Sequence, residues 1–272
     1  MMPVDPKAPN SWSATPMSPV LVEKALRDAG FDLISTGNDG WMDARISGQD
    51  AHVAVLIVAN GALLALPTPG TAARIGLLGD VPVAVPNGMA DVGRCASAED
   101  LFNALHVAKS LQAHPSAKLS ARVEARLANI AVTERTAEVR QRIGQDVFRE
   151  ALIELWDGRC AVTGLTLPAP LLRASHAKPW AIANDQERLD PFNGLLLAVH
   201  LDALFDSGLM TFEDDGLATF SSKLSEPVRR ALGIVDRMSI THLLPGHLPY
   251  LRFHREMFAR SSKTANMRDE HQ

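Results

Sequence analysis

Cysteine is scarce: Cys95 and Cys160 are the only two in 272 residues, too few for a disulfide framework or a four-thiolate zinc site. Long apolar runs are missing too. The longest candidate, Ala51 to Pro67, is interrupted by Asn60 and Gly61 and falls short of the ~20 apolar residues that cross a bilayer, so no membrane span is predicted. The opening MMPVDPKAPNSWSATPMSP lacks the charged n-region and apolar h-region of a signal peptide. An intracellular, cytoplasmic protein with both thiols reduced is the expectation. There is no internal repeat of about 20–50 residues and no low-complexity tract.

The composition that remains is 46% hydrophobic and 21% charged, that of a folded globular chain rather than a disordered or fibrous one. Its length suits one large domain or two ordinary ones. The net charge of -4 argues against a uniformly basic nucleic-acid binder, but the charge is unevenly spread. Residues 1–107 hold 6 Lys/Arg against 11 Asp/Glu, residues 108–180 hold 11 against 7, and residues 181–272 hold 10 against 13. The basic middle third can face phosphates or be a solvated helical surface.

An α+β organisation follows from the patterns. Ser18 sits at an N-cap and Pro19 in a first turn, with Val20, Leu21, Ala25 and Leu26 on one helical face before Gly30 stops it. FDLIS, WMDARIS, HVAVLIV and ALLALP then read as four short strands of a meander, with Asn60–Gly61 the clearest hairpin. A Pro- and Gly-punctuated stretch runs to Gly93. Ser97 to Gln112 returns to a helix, opened by Ser97 and Asp100 in capping-box spacing. This N-terminal α+β domain, residues 1–112, carries no catalytic constellation, and its His52 reads as structural. Residues 113–137 read as a helical linker, and residues 138–272 as a second domain.

That domain opens with a helix from Glu138 to Trp156, apolar at Ile143, Val147, Phe148, Leu152 and Leu155, with Arg140, Arg142 and Arg149 on its other side. CAVTG and LLRASH read as strands and Asn193 to Gly208 as a helix that Asn193 caps and Leu195, Leu196 and Leu197 anchor. LMTF and LATF form a hairpin about Glu213 to Gly216. His176 ends the second strand, and Pro179 holds the following chain extended, leaving the imidazole at a loop edge. Asp202 and Asp206 are i, i+4 and share a helical face, whereas His200 lies roughly 200° from Asp202. Hard oxygen ligands for a cation and a separate base for water are the ingredients of metal-dependent hydrolysis. The alternative is a structural one, with Asp206 capping a turn and His200 at the surface.

The runs RIGQDVFREALIELWDGRCAVTGL, LLRASHAKPW, ERLDPFNGLLLAVHLDALFDSGLMTF and YLRFHREMF resemble, in that order, the HNH endonuclease family, specifically the branch at the C-terminal end of bacterial restriction-type proteins. The resemblance covers about residues 138–260. It implies a ββα-metal fold, a divalent cation and hydrolysis of DNA phosphodiester bonds, in restriction or defence. Mg²⁺ or Mn²⁺ is expected first, Ni²⁺ or Zn²⁺ as alternatives. His176 matches the general base, Asn193 the residue that brings order to the base-bearing loop, and Asp202 the position of the last metal-binding His. Two positions depart from the pattern. Ser175 stands where many members have a metal-binding Asp, so Asp206 or His200 would complete the ligand set, with Asp206 favoured by its shared face. Cys160–Ala–Val–Thr163 stands where zinc-stabilised members have Cys-x-x-Cys, so no structural zinc is expected.

Arg149, Arg173 and Lys178 are the expected phosphate contacts. Arg252, His254 and Arg255 either return to the active site or decorate a docking strand, and Trp156 and Trp180 read as packing. DNA is the expected partner, with the N-terminal domain reading sequence, a modified base or another signal. A homodimer would supply two sites for two-strand cutting. The alternatives are an RNA-directed nuclease and a non-catalytic DNA- or protein-binding module on the same scaffold.

Overall fold

The computed structural model describes residues 17–77, 79, 83–113, 116–128, 130, 137–235 and 237–269. The signal-peptide reading rests mostly on residues 1–16, which lie outside the described residues. The chain divides into two compact units, Met1–Ala73 with Leu77–Lys109 and Arg74–Gly76 with Ser110–Gln272.

The first unit begins with helix α1 (Pro19–Asp28), where the Ser18 side chain accepts from the Leu21 N–H and Val22, Ala25 and Leu26 are buried. An antiparallel meander follows: β1 (Leu33–Thr36), β2 (Met42–Arg45), β3 (His52–Val58), β4 (Gly61–Leu66) and, after the short helix α2 (Thr71–Arg74), β5 (Asp91–Cys95). The hairpin turns at Ala59–Asn60, so that Val58 pairs with Gly61. Gly61 is needed twice over. Its φ is +117°, and a Cβ there would meet the Cys95 carbonyl oxygen at 2.1 Å, so a side chain would push β5 away.

β5 is a strand where the sequence read only punctuation. DVGRC lacks a clean alternation of strand-forming residues, and Gly93 looks like a breaker. It is instead a close-packing point, since a Cβ would meet Leu77 Cβ at 2.3 Å. Helix α3 (Ala98–Ala113) starts with the expected capping box: the Asp100 N–H donates to Ser97 Oγ at 3.0 Å, and the Ser97 N–H to Asp100 Oδ2 at 3.0 Å. Ser97→Ala is expected to cost about 1 kcal/mol, measured as a lower thermal midpoint; an unchanged midpoint would show the cap to be idle.

In the second unit α4 (Ser116–Ala128) buries Leu119, Val123 and Leu127, and α5 (Ala137–Leu155) buries Val147, Phe148, Ala151 and Leu152. The two helices pack together, and their rims carry Arg126–Glu150 at 2.9 Å and Arg140–Glu124 at 2.6 Å. The connecting segment thus contributes a packed helix, although its residues 114–115, 129 and 131–136 lie outside the described ones.

Next come β6 (Leu172–His176), α6 (Asp185–Arg188), β7 (Gly194–Ala198) and α7 (Val199–Asp206). β6 and β7 pair antiparallel, with His176 opposite Gly194 and Leu172 opposite Ala198, and α7 packs against both. Two expectations are corrected here. CAVTG is a turn, closed by the Gly164 N–H to the Cys160 carbonyl at 2.9 Å, so the strand pair is LRASH with GLLLA. Residues 194–198 are a strand, not the start of a helix, and Asn193 ends a 3-10 turn (Pro191–Asn193) rather than capping a helix. Every residue of β7 is buried, and a short apolar run covered on both faces has no period to separate strand from helix.

The unit continues with β8 (Met210–Phe212) and β9 (Ala218–Phe220), the expected hairpin, then α8 (Glu226–Ala231) and α9 (Leu248–Asp269). YLRFHRE therefore lies on a helix, not a strand. His254, stacked on Phe205 at 3.8 Å, donates from Nε2 to the Phe205 carbonyl at 3.0 Å. Arg252 and Arg255 both bind Asp214, holding its carboxyl down to about 2. These residues fasten α9 to α7 and β8. Among the described residues no helix is long and apolar enough to cross a membrane.

Candidate active site

β6 delivers His176 to the edge of an open cleft of about 640 Å³, whose other walls come from α5, the chain before β6 and α7. The imidazole is fixed on three sides. Its Nε2 lies 2.9 Å from the Arg188 carbonyl, and since a carbonyl only accepts, Nε2 carries the proton. Phe148 stacks on its face, with centroids 3.8 Å apart and an interplanar angle of 16°. Trp180 meets its edge at 5.7 Å. Nδ1 is left with the lone pair that could take a proton. Burial pushes the His176 pKa below the ordinary value of 6.5, against the opposing hydrogen bond to Arg188, so the ring is neutral at pH 7.

Asn193 holds the loop that completes this geometry. It is 0% exposed, and its side chain accepts from the Lys178 N–H at 2.8 Å while donating to the Lys178 carbonyl at 3.2 Å and the Glu187 carbonyl at 2.9 Å. All three bonds reach the loop between β6 and β7. Within that loop Asn184 and Glu187 form a capping box at α6, and the Arg188 Nε donates to the Trp180 carbonyl at 2.9 Å. Arg188, whose carbonyl binds His176, is thereby placed by the segment that Asn193 secures.

α7 turns Asp202 and Asp206 into the cleft. Ser175, the departure noted in the sequence, donates from Oγ to Asp202 Oδ1 at 2.5 Å; it orients a carboxylate instead of supplying one. His200 is exposed and outside the cleft lining, because it projects from α7 roughly 200° away from Asp202. It is set aside as a ligand. Among the described residues no three His, Cys, Asp or Glu side chains converge as a ready metal centre. Two carboxylates on one helical face nonetheless suit a hard cation, which takes one or two protein carboxylates and fills its remaining positions with water and substrate phosphate oxygens.

The expected phosphate contacts divide. Arg149 and Arg173 line the cleft, both anchored by backbone carbonyls: Arg149 on Leu172 and Ala169 at 2.7 and 2.6 Å, Arg173 on Pro170 at 3.2 Å. Lys178 is not at the cleft. Its ammonium lies 2.6 and 2.7 Å from the two Glu187 oxygens, an ion pair that lowers the Glu187 pKa and spends the lysine's charge on the loop. Gln145, Asp146 and Phe148 are cleft residues that sequence reasoning missed. They sit within a single turn of a helix read only for its apolar spacing, and the signal that could have exposed them was the polar Gln145–Asp146 pair beside an apolar stripe.

Cys160, at the position of the zinc-binding cysteines in the resembling family, is fully buried and its Sγ accepts from the Ala198 N–H at 3.4 Å. The Ala161 N–H and carbonyl bind Leu196 and Thr241 at 2.7 and 2.8 Å, so backbone bonds tie this turn to β7. Among curated proteins none matches the chain. Residues 160–213, which run from that turn through β6, Asn193 and α7 to β8, match the family model for HNH endonuclease, so this part of the chain is similar to an HNH endonuclease domain.

Proposed function

We propose that the second unit is a metal-dependent DNA endonuclease in which His176 is the general base and Asp202 and Asp206 hold the cation. The observation that carries this reading is the shared cleft: a neutral imidazole with Nδ1 as its remaining acceptor, beside two carboxylates that face the same space. Nδ1 takes a proton from the attacking water. Asn193 keeps the loop in place, so that the Arg188 carbonyl holds the ring in the tautomer that can do so. Arg149 and Arg173 neutralise flanking phosphate oxygens through charge and carry no sequence information.

Charge balance in the cleft supports the cation. Asp146, Asp202 and Asp206 outnumber Arg149 and Arg173, so the protein's own charges make the cleft net negative and oppose a phosphodiester. A divalent cation bound by Asp202 and Asp206 would reverse that sign and stabilise the charge developing on the phosphate in the transition state. In the same proposal the first unit selects the target, sequence or modified base, in a restriction or defence setting. A dimer would bring two such clefts to the two strands.

The test is cleavage of plasmid DNA with Mg²⁺ or Mn²⁺ against EDTA. Cutting should require the metal, and Asp202→Asn or Asp206→Asn should raise the Mn²⁺ concentration for half-maximal rate by about tenfold or more, since each removes a ligand charge. Cutting that survives EDTA would reject the cation. No cutting of modified or unmodified DNA or of RNA with either metal would leave a binding module.

A further inference from the structure

We propose that Phe148 is a positioning residue for His176, holding the imidazole in the plane that aims Nδ1 into the cleft. This deepens the functional reading above and rests on it for the role of His176. It extends the active centre beyond residues 160–213, because Phe148 lies on α5.

The ring contact is one of face on face, 3.8 Å between centroids and 16° between planes. A hydrogen bond at Nε2 alone would let the imidazole swing about the Nε2···Arg188 line. Phe148 on the face and Trp180 on the edge, at 5.7 Å and 87°, remove that freedom, which is the loss of orientation that a catalytic base can least tolerate.

Two glycines show that the backbone makes room for both rings. Gly194 is the residue paired with His176 across the β6–β7 ladder, and a Cβ on it would meet Phe148 Cζ at 2.4 Å and Leu152 Cδ1 at 2.7 Å. Phe148 therefore reaches the imidazole by passing over a position that has no side chain. Gly144 lies one turn earlier on α5, and a Cβ there would meet Trp180 Cη2 at 2.4 Å. Neither glycine has a positive φ, so backbone conformation does not require them. What they supply is space for the two aromatic contacts of His176.

Phe148 is also a core residue, 1% exposed, so the experiment must separate positioning from stability. The comparison is Phe148→Leu with Phe212→Leu, the latter an equally buried phenylalanine on β8. At temperatures where both variants are folded, Phe148→Leu should lower kcat for plasmid nicking by about 10–10²-fold with KM for DNA unchanged, while Phe212→Leu retains the parental kcat. Gly194→Ala should reproduce the kcat loss, and combined with Phe148→Leu it should add little, because the side chain it collides with is gone. A parental kcat in Phe148→Leu, or an equal loss in Phe212→Leu, would overturn the proposal. The clamp has a readout independent of cleavage: in NMR spectra of histidine-labelled protein, the His176 ring protons should be shifted upfield by the stacked phenyl ring and lose that shift in Phe148→Leu. A parent that cuts nothing but shows this shift refutes the nuclease reading and leaves the clamp; an unshifted His176 refutes the clamp.

Discussion

His176→Ala is expected to lower metal-dependent DNA cleavage by about 10²–10⁴-fold, the contribution of a positioned general base. Affinity for DNA should hardly change, because the neutral imidazole offers a phosphate no charge and Arg149 and Arg173 remain at the cleft. The variant leaves the Arg188 carbonyl without its donor and opens space beside Phe148, so stability should fall by about 1–3 kcal/mol, which a thermal melt registers separately from activity. The pH profile gives a second signature. Only unprotonated His176 has a free Nδ1 lone pair, and its pKa is depressed by burial below 6.5. The rate should therefore stay flat from neutral pH down to about 6.5 and decline only below it. The same shift acts on stability: the unfolded chain binds the proton more readily, so this group's contribution is complete above 6.5 and is lost as pH falls through the depressed value. An acid limb centred above 6.5, or cleavage undiminished in His176→Ala, would remove the residue from the role of base.

The parts of the molecule legible in the sequence are those whose signals are local. The Ser97–Asp100 box and the shared face of Asp202 and Asp206 follow from residues a few positions apart and are present as expected, and the hairpin read at Asn60–Gly61 is present one residue earlier, turning at Ala59–Asn60. β7 and β5 were not legible for opposite reasons. Leu195, Leu196 and Leu197 are uniformly apolar because β7 is covered on both faces, which erases periodicity. In β5, Gly93 reads as a breaker until Leu77 is seen against it. Site residues divide along the same line. His176 and Asn193 came from the motif resemblance, but their actual partners, the carbonyls of Arg188, Lys178 and Glu187, belong to the backbone and leave no mark in the amino-acid sequence. Lys178 shows the converse error: its charge suggested a phosphate contact, and only the fold reveals that Glu187, nine residues on, already holds it.

Asn193→Ala is expected to be among the most damaging single substitutions in the second unit, to stability and activity together. Its amide satisfies one N–H and two carbonyls of the loop from a position with no exposure to water. Truncation strips all three partners at once, and at about 1–3 kcal/mol for each buried group left unpaired, less whatever relaxation and entering water recover, a net loss of about 3–5 kcal/mol follows. The loop between β6 and β7 then loosens. As it does, Arg188 loses register, its carbonyl no longer fixes the Nε2 proton of His176, and cleavage should fall by at least about 10²-fold, as expected when a base is displaced by an ångström. Asn193→Asp separates the two effects of the amide. A carboxylate can still accept from the Lys178 N–H, but it turns an acceptor toward the Lys178 and Glu187 carbonyls where donors are needed, so it should be little better than alanine. Hydrogen exchange provides the spatial check: protection at the Lys178 amide should be kept in Asn193→Asp relative to Asn193→Ala while that of Asn184 to Leu189 falls in both. If either variant kept the parental melting temperature and the parental cleavage rate, the amide would be a passenger in the core and the loop would owe its shape to its other bonds, the α6 capping box, the Arg188–Trp180 bond and the Lys178–Glu187 pair among them.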